Sequence, residues 1–124
     1  MTSLTRLQLC NNILTKIEKL ETLVNLTWLD LSFNSIKKIE NLEELRKLEY
    51  INLHRNLITH VENLDHQLRL EIFIISSNGV RSFDQVKYLR RFVRLQSVNF
   101  EGNPVTTDPN YRLFTIALIP QISF

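Results

Sequence analysis

Four asparagines, Asn12, Asn34, Asn56 and Asn78, follow one another at intervals of 22 residues, and a fifth, Asn103, comes 25 residues later. Each closes the same phrase: apolar, any, apolar, any, any, Asn. The phrases are Leu7-Gln8-Leu9-Cys10-Asn11-Asn12, Leu29-Asp30-Leu31-Ser32-Phe33-Asn34, Ile51-Asn52-Leu53-His54-Arg55-Asn56, Phe73-Ile74-Ile75-Ser76-Ser77-Asn78 and Val98-Asn99-Phe100-Glu101-Gly102-Asn103. A fixed period of this length marks a solenoid, whose coils bury their apolar faces only against their neighbours. The alternation within each phrase puts its two apolar residues on one side of a short strand. The strand then turns sharply, leaving backbone donors and acceptors inside the stack. A buried amide side chain carries both kinds of group, so each Asn is expected to serve its own turn and the adjacent coil. Unpaired, such groups cost about 1–3 kcal/mol each.

Between phrases the apolar residues fall at a near-constant step of three: Leu14, Ile17, Leu20, Leu23 and Leu26, then Ile36, Ile39, Leu42, Leu45 and Leu48. That step fits a convex side of short 3₁₀ turns, where side chains at i and i+3 eclipse. The expected fold is an α/β solenoid, a right-handed superhelix with a concave parallel β-sheet. Strands are expected near 7–9, 29–31, 51–53, 73–75 and 98–100, giving repeats over 1–103 and a C-terminal cap over 104–124. In the third coil Gln67 occupies an apolar position, and Leu68 is expected to rotate in beside it. The fourth coil carries one extra triplet, and Asp84 to Arg94 reads as an α-helix starting at Asp84.

Asp108 before Pro109 reads as the start of a further helix running to Ala117 or Leu118 and ending before Pro120. Its Leu113, Phe114 and Ala117, with Leu118, Ile119, Ile122 and Phe124, are expected to cover the open end of the last coil. No comparable cap precedes Leu4, and a solenoid needs one at each end. The expectation is therefore a piece of a longer protein; the alternative is a bare face that pairs with another molecule.

The composition removes several function classes. A formal charge of +2 is too small to argue for nucleic acid or a membrane surface, and no hydrophobic run approaches the roughly 18–20 residues of a membrane span. One cysteine, Cys10, allows no intrachain disulfide, so a reducing compartment is expected. Two glycines leave no Gly-rich phosphate loop. His54, His60 and His66, six residues apart, fall on different faces of one coil and do not form a ligand set, so neither metal nor cofactor is expected. Glu43 and Glu44 lie on the convex side with no cleft to raise a carboxyl pKa. No enzyme is expected, and no small-molecule substrate.

What remains is the concave face. The register lines up Arg6, Trp28, Tyr50, Ile72 and Ser97 in one column, Gln8, Asp30, Asn52, Ile74 and Asn99 in a second, and Cys10, Ser32, His54, Ser76 and Glu101 in a third. Asn11, Phe33, Arg55, Ser77 and Gly102 form the rim. An exposed aromatic and aliphatic row beside charged residues has the composition of an interface hot spot, so Trp28, Asp30, Tyr50, Asn52, His54, Arg55, Ile72 and Ile74 are the candidate partner-binding residues. The competing reading is that Trp28 and Tyr50 only brace the sheet; Phe33 is expected to pack into the turn. Lys87, Arg90, Arg91 and Arg94 form a candidate secondary basic patch for phosphate or an acidic partner surface, or else a solvated outer face.

The phrases, followed by Ile17-Glu18-Lys19-Leu20, Ile39-Glu40-Asn41-Leu42 and Val61-Glu62-Asn63-Leu64, resemble the 22-residue intracellular class of leucine-rich repeat. That class includes a phosphatase regulator and an axonemal dynein light chain. Three stretches, Leu4 to Ile13, Thr27 to Leu42 and Tyr88 to Val105, resemble more narrowly the repeat domain of the dynein regulatory complex subunit 3 family, part of the nexin link of motile cilia. That resemblance implies a non-catalytic scaffold in the cytoplasm of a cilium or flagellum, on the axoneme, with other regulatory-complex subunits, dynein or tubulin as partners. The tail from Asn103 through Tyr111-Arg112-Leu113 to Gln121 is also similar to the cap of the leucine-rich protein of the spliceosomal branch-point particle, which implies as an alternative an adaptor holding an RNA-binding protein. A phosphatase regulatory subunit is the third reading.

Overall fold

The computed structural model describes residues 3–122. Five three-residue strands, β1 (Arg6–Gln8), β2 (Trp28–Asp30), β3 (Tyr50–Asn52), β4 (Ile72–Ile74) and β5 (Ser97–Asn99), form one parallel sheet in sequence order. Each begins one residue before the expected strand. The reason lies in the ladder: the N–H groups of Trp28, Tyr50, Ile72 and Ser97 already bond to Thr5, Thr27, Glu49 and Glu71 carbonyls of the preceding coil. The central residues Leu29, Ile51 and Phe73 are fully buried, while Leu7 and Val98 in the outer strands are half-buried. Leu20, Leu42 and Leu64 accept i+3 N–H bonds from Leu23, Leu45 and Gln67, the 3₁₀-like turns that the step of three demands.

The asparagines do what their spacing requires. Asn34 Nδ2 donates to Leu31 O at 2.9 Å in its own turn and to Leu9 O at 3.0 Å in the coil before, while its Oδ1 accepts Leu14 N at 3.1 Å. Asn56, Asn78 and Asn103 repeat the pattern, with Oδ1 accepting from Ile36, Ile58 and Val80 N–H groups. Asn12, in the first coil, is exposed and donates only within its own turn, to Leu9 and Cys10.

A second ladder runs parallel to the first. Asn41 Nδ2 donates to Ile17 O and Asn63 Nδ2 to Ile39 O, both at 2.7 Å. Both residues sit in the left-handed region, with φ of 62° and 60°, which asparagine tolerates better than most residues.

Gln67 departs from the expected packing. It is fully buried, its Nε2 donating to Leu42 O at 2.7 Å and Leu45 O at 3.3 Å, and Leu68 stays 57% exposed instead of rotating in. The unbranched Gln side chain reaches the previous coil's carbonyls from the apolar slot itself. Its Oε1 has no partner among the described residues.

The fourth coil holds no continuous helix from Asp84 to Arg94. Ser82, not Asp84, is the cap, its hydroxyl accepting Asp84 N at 3.1 Å ahead of α1 (Phe83–Lys87). A 3₁₀ turn over Tyr88–Arg91 follows. Val86, Leu89, Phe92 and Leu95 are all buried; a step of three suits 3₁₀ winding and would drift out of the core on a 3.6-residue helix.

After a 3₁₀ turn at Pro104–Thr107, α2 (Tyr111–Leu118) covers the last coil. It starts two residues later than expected, because the Asp108 carboxylate accepts the N–H of Asn110 in a local turn. Its inward stripe is Tyr111, Thr115, Leu118 and Ile119, continued by Ile122. Leu113, Phe114 and Ala117, expected inside, are exposed; Phe114 lies edge-on to Phe83 at 5.0 Å. Phe124 lies outside the described residues. Gln121 Nε2 closes the cap by donating to Phe92 O at 3.0 Å.

Candidate functional site

Strand alternation sends Leu29, Ile51 and Phe73 into the core and their neighbours onto the concave face. The register pairs Arg6 with Trp28, Trp28 with Tyr50, Tyr50 with Ile72 and Ile72 with Ser97, as the spacing requires. Trp28 and Tyr50 stack face to face, ring centroids 4.7 Å apart and planes within 3°. Arg6 lies over the outer face of the indole at 4.3 Å. The three side chains form one pile along the solenoid axis, in which aromatic stacking contributes about 0.5–1.5 kcal/mol beyond area burial. Stacking consumes the ring faces and leaves the ring edges toward the concave side. Asn52 Nδ2 bonds the Tyr50 hydroxyl at 3.3 Å, and Ile72 and Ile74, both half-buried, extend the apolar row over the fourth coil.

The second and third columns divide. Asp30, expected among the exposed groups, is 7% exposed, its Oδ1 accepting the Ser32 N–H at 2.9 Å and the Ser32 hydroxyl at 2.6 Å. Asn52 and Asn99 accept the N–H of His54 and Glu101 in the same way. His54 Nδ1 lies 2.6 Å from the Ser76 hydroxyl, and its ring meets Phe33 edge-on at 5.2 Å. Phe33 does not pack into the turn: it is 42% exposed, with Arg55 above its ring at 5.6 Å. Asn11, Phe33, Arg55 and Ser77 all have φ between 55° and 58°, and Gly102 has 79°. This column of left-handed residues forms the rim of the concave face, a feature no residue type announces.

The basic patch is split. Arg91 is committed to a local lock, Nη1 to Asp65 at 2.6 Å, Nε to Tyr88 O at 3.0 Å, and the guanidinium 3.9 Å over the Tyr88 ring. The Tyr88 hydroxyl donates to Asp65 and accepts Leu64 N at 2.9 Å. Burial, then the Asp65 hydrogen bond, push its pKa up to about 12. Lys87, Arg90 and Arg94 remain exposed. No group of three metal-ligating side chains gathers among the described residues, and no described helix is long and apolar enough to cross a membrane.

A family model described as leucine-rich repeat matches residues 1–124. A chain in the crystal structure of the Drosophila melanogaster SNF/U2A' complex aligns with a TM-score of 0.88 and 28% identity, covering 96% of this chain and 70% of that one. The internalin inlF of Listeria monocytogenes aligns with a TM-score of 0.82 at 23% identity, covering 98% of this chain and 34% of that one. Internalin C2 of the same bacterium gives 0.81 at 21%, covering 98% and 50%. The chain thus spans half or less of either internalin, and at those identities the likeness is one of fold alone. No curated protein matches the chain, and no enzyme family is indicated by the matches.

Proposed function

The chain belongs to the leucine-rich repeat family, and from that membership we propose that it is a non-catalytic scaffold docking a protein partner on its concave sheet within the axonemal nexin–dynein regulatory complex. The observation that carries the docking surface is the Arg6, Trp28 and Tyr50 pile, continued by Ile72: large side chains held rigid on an open face, as interface anchors are. The axonemal setting is supported by the resemblance of Leu4 to Ile13, Thr27 to Leu42 and Tyr88 to Val105 to the repeat domain of dynein regulatory complex subunit 3. On this reading the partners are other regulatory-complex subunits, dynein or tubulin, and the site of action is the cilium or flagellum.

A second reading, an adaptor holding an RNA-binding protein, is supported by the 28% identity to a chain of the SNF/U2A' complex across the repeats and the cap. One experiment separates them. A tagged chain expressed in ciliated cells should localise to axonemes, and Trp28→Ala with Tyr50→Ala should reduce its retention after salt washing. Undiminished retention of a folded double variant would remove the concave row from contention. A purely nuclear signal would overturn the axonemal reading in favour of the second.

A further inference from the structure

Exposed charge on the concave face has one sign over its first four coils. Arg6 and Arg55 are exposed there, and neither has a carboxylate within ion-pair distance among the described residues. The one acid in the same columns of those coils, Asp30, is withdrawn beneath the surface and bonded twice to Ser32. An exposed carboxylate first returns at Glu101, in the fifth coil. On the opposite rim, Glu49 and Glu71 lie outside these columns, each two residues after a cation, Lys47 and Arg69.

The rings add to the same sign. Stacked within 3° and covered on the outer side by Arg6, Trp28 and Tyr50 turn their electropositive edges to the open face. Guanidinium stacking leaves the in-plane N–H donors of Arg6 free for a carboxylate. Beside this positive strip the half-buried Ile72 and Ile74 supply an apolar seat.

We infer that the concave face takes an acidic protein segment bearing an aliphatic or aromatic anchor, the anchor on Ile72 and Ile74 and the carboxylates on Arg6 and Arg55. This rests on the docking reading above and specifies the partner's chemistry. A nucleic acid is the other polyanion to consider, but single strands gain affinity by stacking bases on open aromatic faces, and here both faces of Trp28 and one face of Tyr50 are already occupied, by one another and by Arg6. A basic partner surface meets two uncompensated cations.

Five strands about 4.8 Å apart span roughly 19 Å between β1 and β5, so a library of random peptides about 16 residues long covers the face as strand or as helix. Displayed on phage and selected on the intact chain, the bound pool should be enriched in Asp and Glu together with large apolar residues. Arg6→Glu with Arg55→Glu should invert the charge of the selected pool and weaken the wild-type winners by about tenfold or more at low salt, less as salt is raised. Arg6→Gln with Arg55→Gln should weaken them without inverting the pool, and circular dichroism should show both variants folded. A neutral or basic pool on the wild type would overturn the acidic-segment inference while leaving the docking surface standing. No enriched pool, with axonemal retention still lost in the Trp28 and Tyr50 variant, would do the same. A fluorescent oligothymidine displacing the selected peptides would overturn it in favour of nucleic acid. Failure of both the selection and the retention experiment would remove the docking reading itself.

Discussion

Replacing Asn56 with Ala, compared with the same change at Asn12, isolates what the ladder contributes between coils. Among the described residues Asn56 Oδ1 is the sole hydrogen-bond partner of the Ile36 N–H, at 3.0 Å, and Ile36 is fully buried. The carbonyls that Asn56 Nδ2 serves are better insured: Leu31 O also accepts from Asn34, Leu53 O from Asn78, and His54 O from the Phe33 N–H. Truncation therefore orphans one buried donor outright and thins three acceptors. An orphaned buried donor costs about 1–3 kcal/mol. Asn12 is exposed, and Leu9 O, which it serves, keeps the bond from Asn34. Its loss should cost under about 1 kcal/mol, since water replaces what is removed. The two variants should differ by about 1–2 kcal/mol, which at a urea m-value of roughly 1.5 kcal/mol/M separates their midpoints by about 1 M. Urea titration followed by circular dichroism measures this directly. Equal midpoints for the two variants would mean that the asparagines matter only within their own turns, and the inter-coil account would be wrong.

Other contacts lead to further measurable consequences. Gln67→Leu removes an acceptor that has no partner among the described residues, and the Leu42 carbonyl it leaves still accepts Leu45 N at 2.9 Å; the midpoint should hold or rise, and a loss above about 1 kcal/mol would show that the amide is needed. Tyr88→Phe strips Leu64 N of its partner and Asp65 of a donor, so stability should fall by about 1 kcal/mol at neutral pH. Because the Tyr88 pKa is raised in the fold from 10.0 to about 12, its contribution is complete below about pH 10 and is lost as pH rises toward 12. The wild type should therefore lose stability more steeply than Tyr88→Phe across that alkaline window, and parallel curves would refute the assignment.

The repeats were legible because burial in a solenoid is periodic. Leu29, Ile51 and Phe73 occupy equivalent slots, and any residue that broke the rhythm, Gln67 included, stood out even where its packing was misjudged. The Asn ladder was legible for the same reason, since one side chain performs one task every 22 residues. What the sequence hid were features set by backbone conformation and by pairwise bonding. The left-handed rim at Asn11, Phe33, Arg55 and Ser77 has no common residue type, because the ladder bonds of the adjacent strands impose that conformation on whatever stands there. The second ladder was visible as Asn41 and Asn63 but lay inside a stretch that reads as polar surface. The α2 face was misread because Leu113, Phe114 and Ala117 are as apolar as the residues that are buried. Thr115 and Ile119 take the inner stripe through the angle at which the chain leaves Asn110, and composition does not encode that angle.

Asp30 carries the point furthest. Its position in the period placed it correctly on the concave strand, yet its charge is absent from the surface, because an aspartate two residues before a serine can close a turn on the serine's N–H and hydroxyl. Asn52 and Asn99 make the same turn on the N–H two residues on, with a neutral amide. The column is therefore a structural one whatever its formal charge, and a charge map drawn from the sequence gives the concave face an acid that a partner never meets. As a contact that acid is withdrawn, and the exposed charges left in the same columns of the first four coils are Arg6 and Arg55. An Asp30→Asn variant should accordingly leave the selected peptide pool acidic, whereas a marked gain in acidic-peptide affinity would show that the Asp30 charge reaches the face after all.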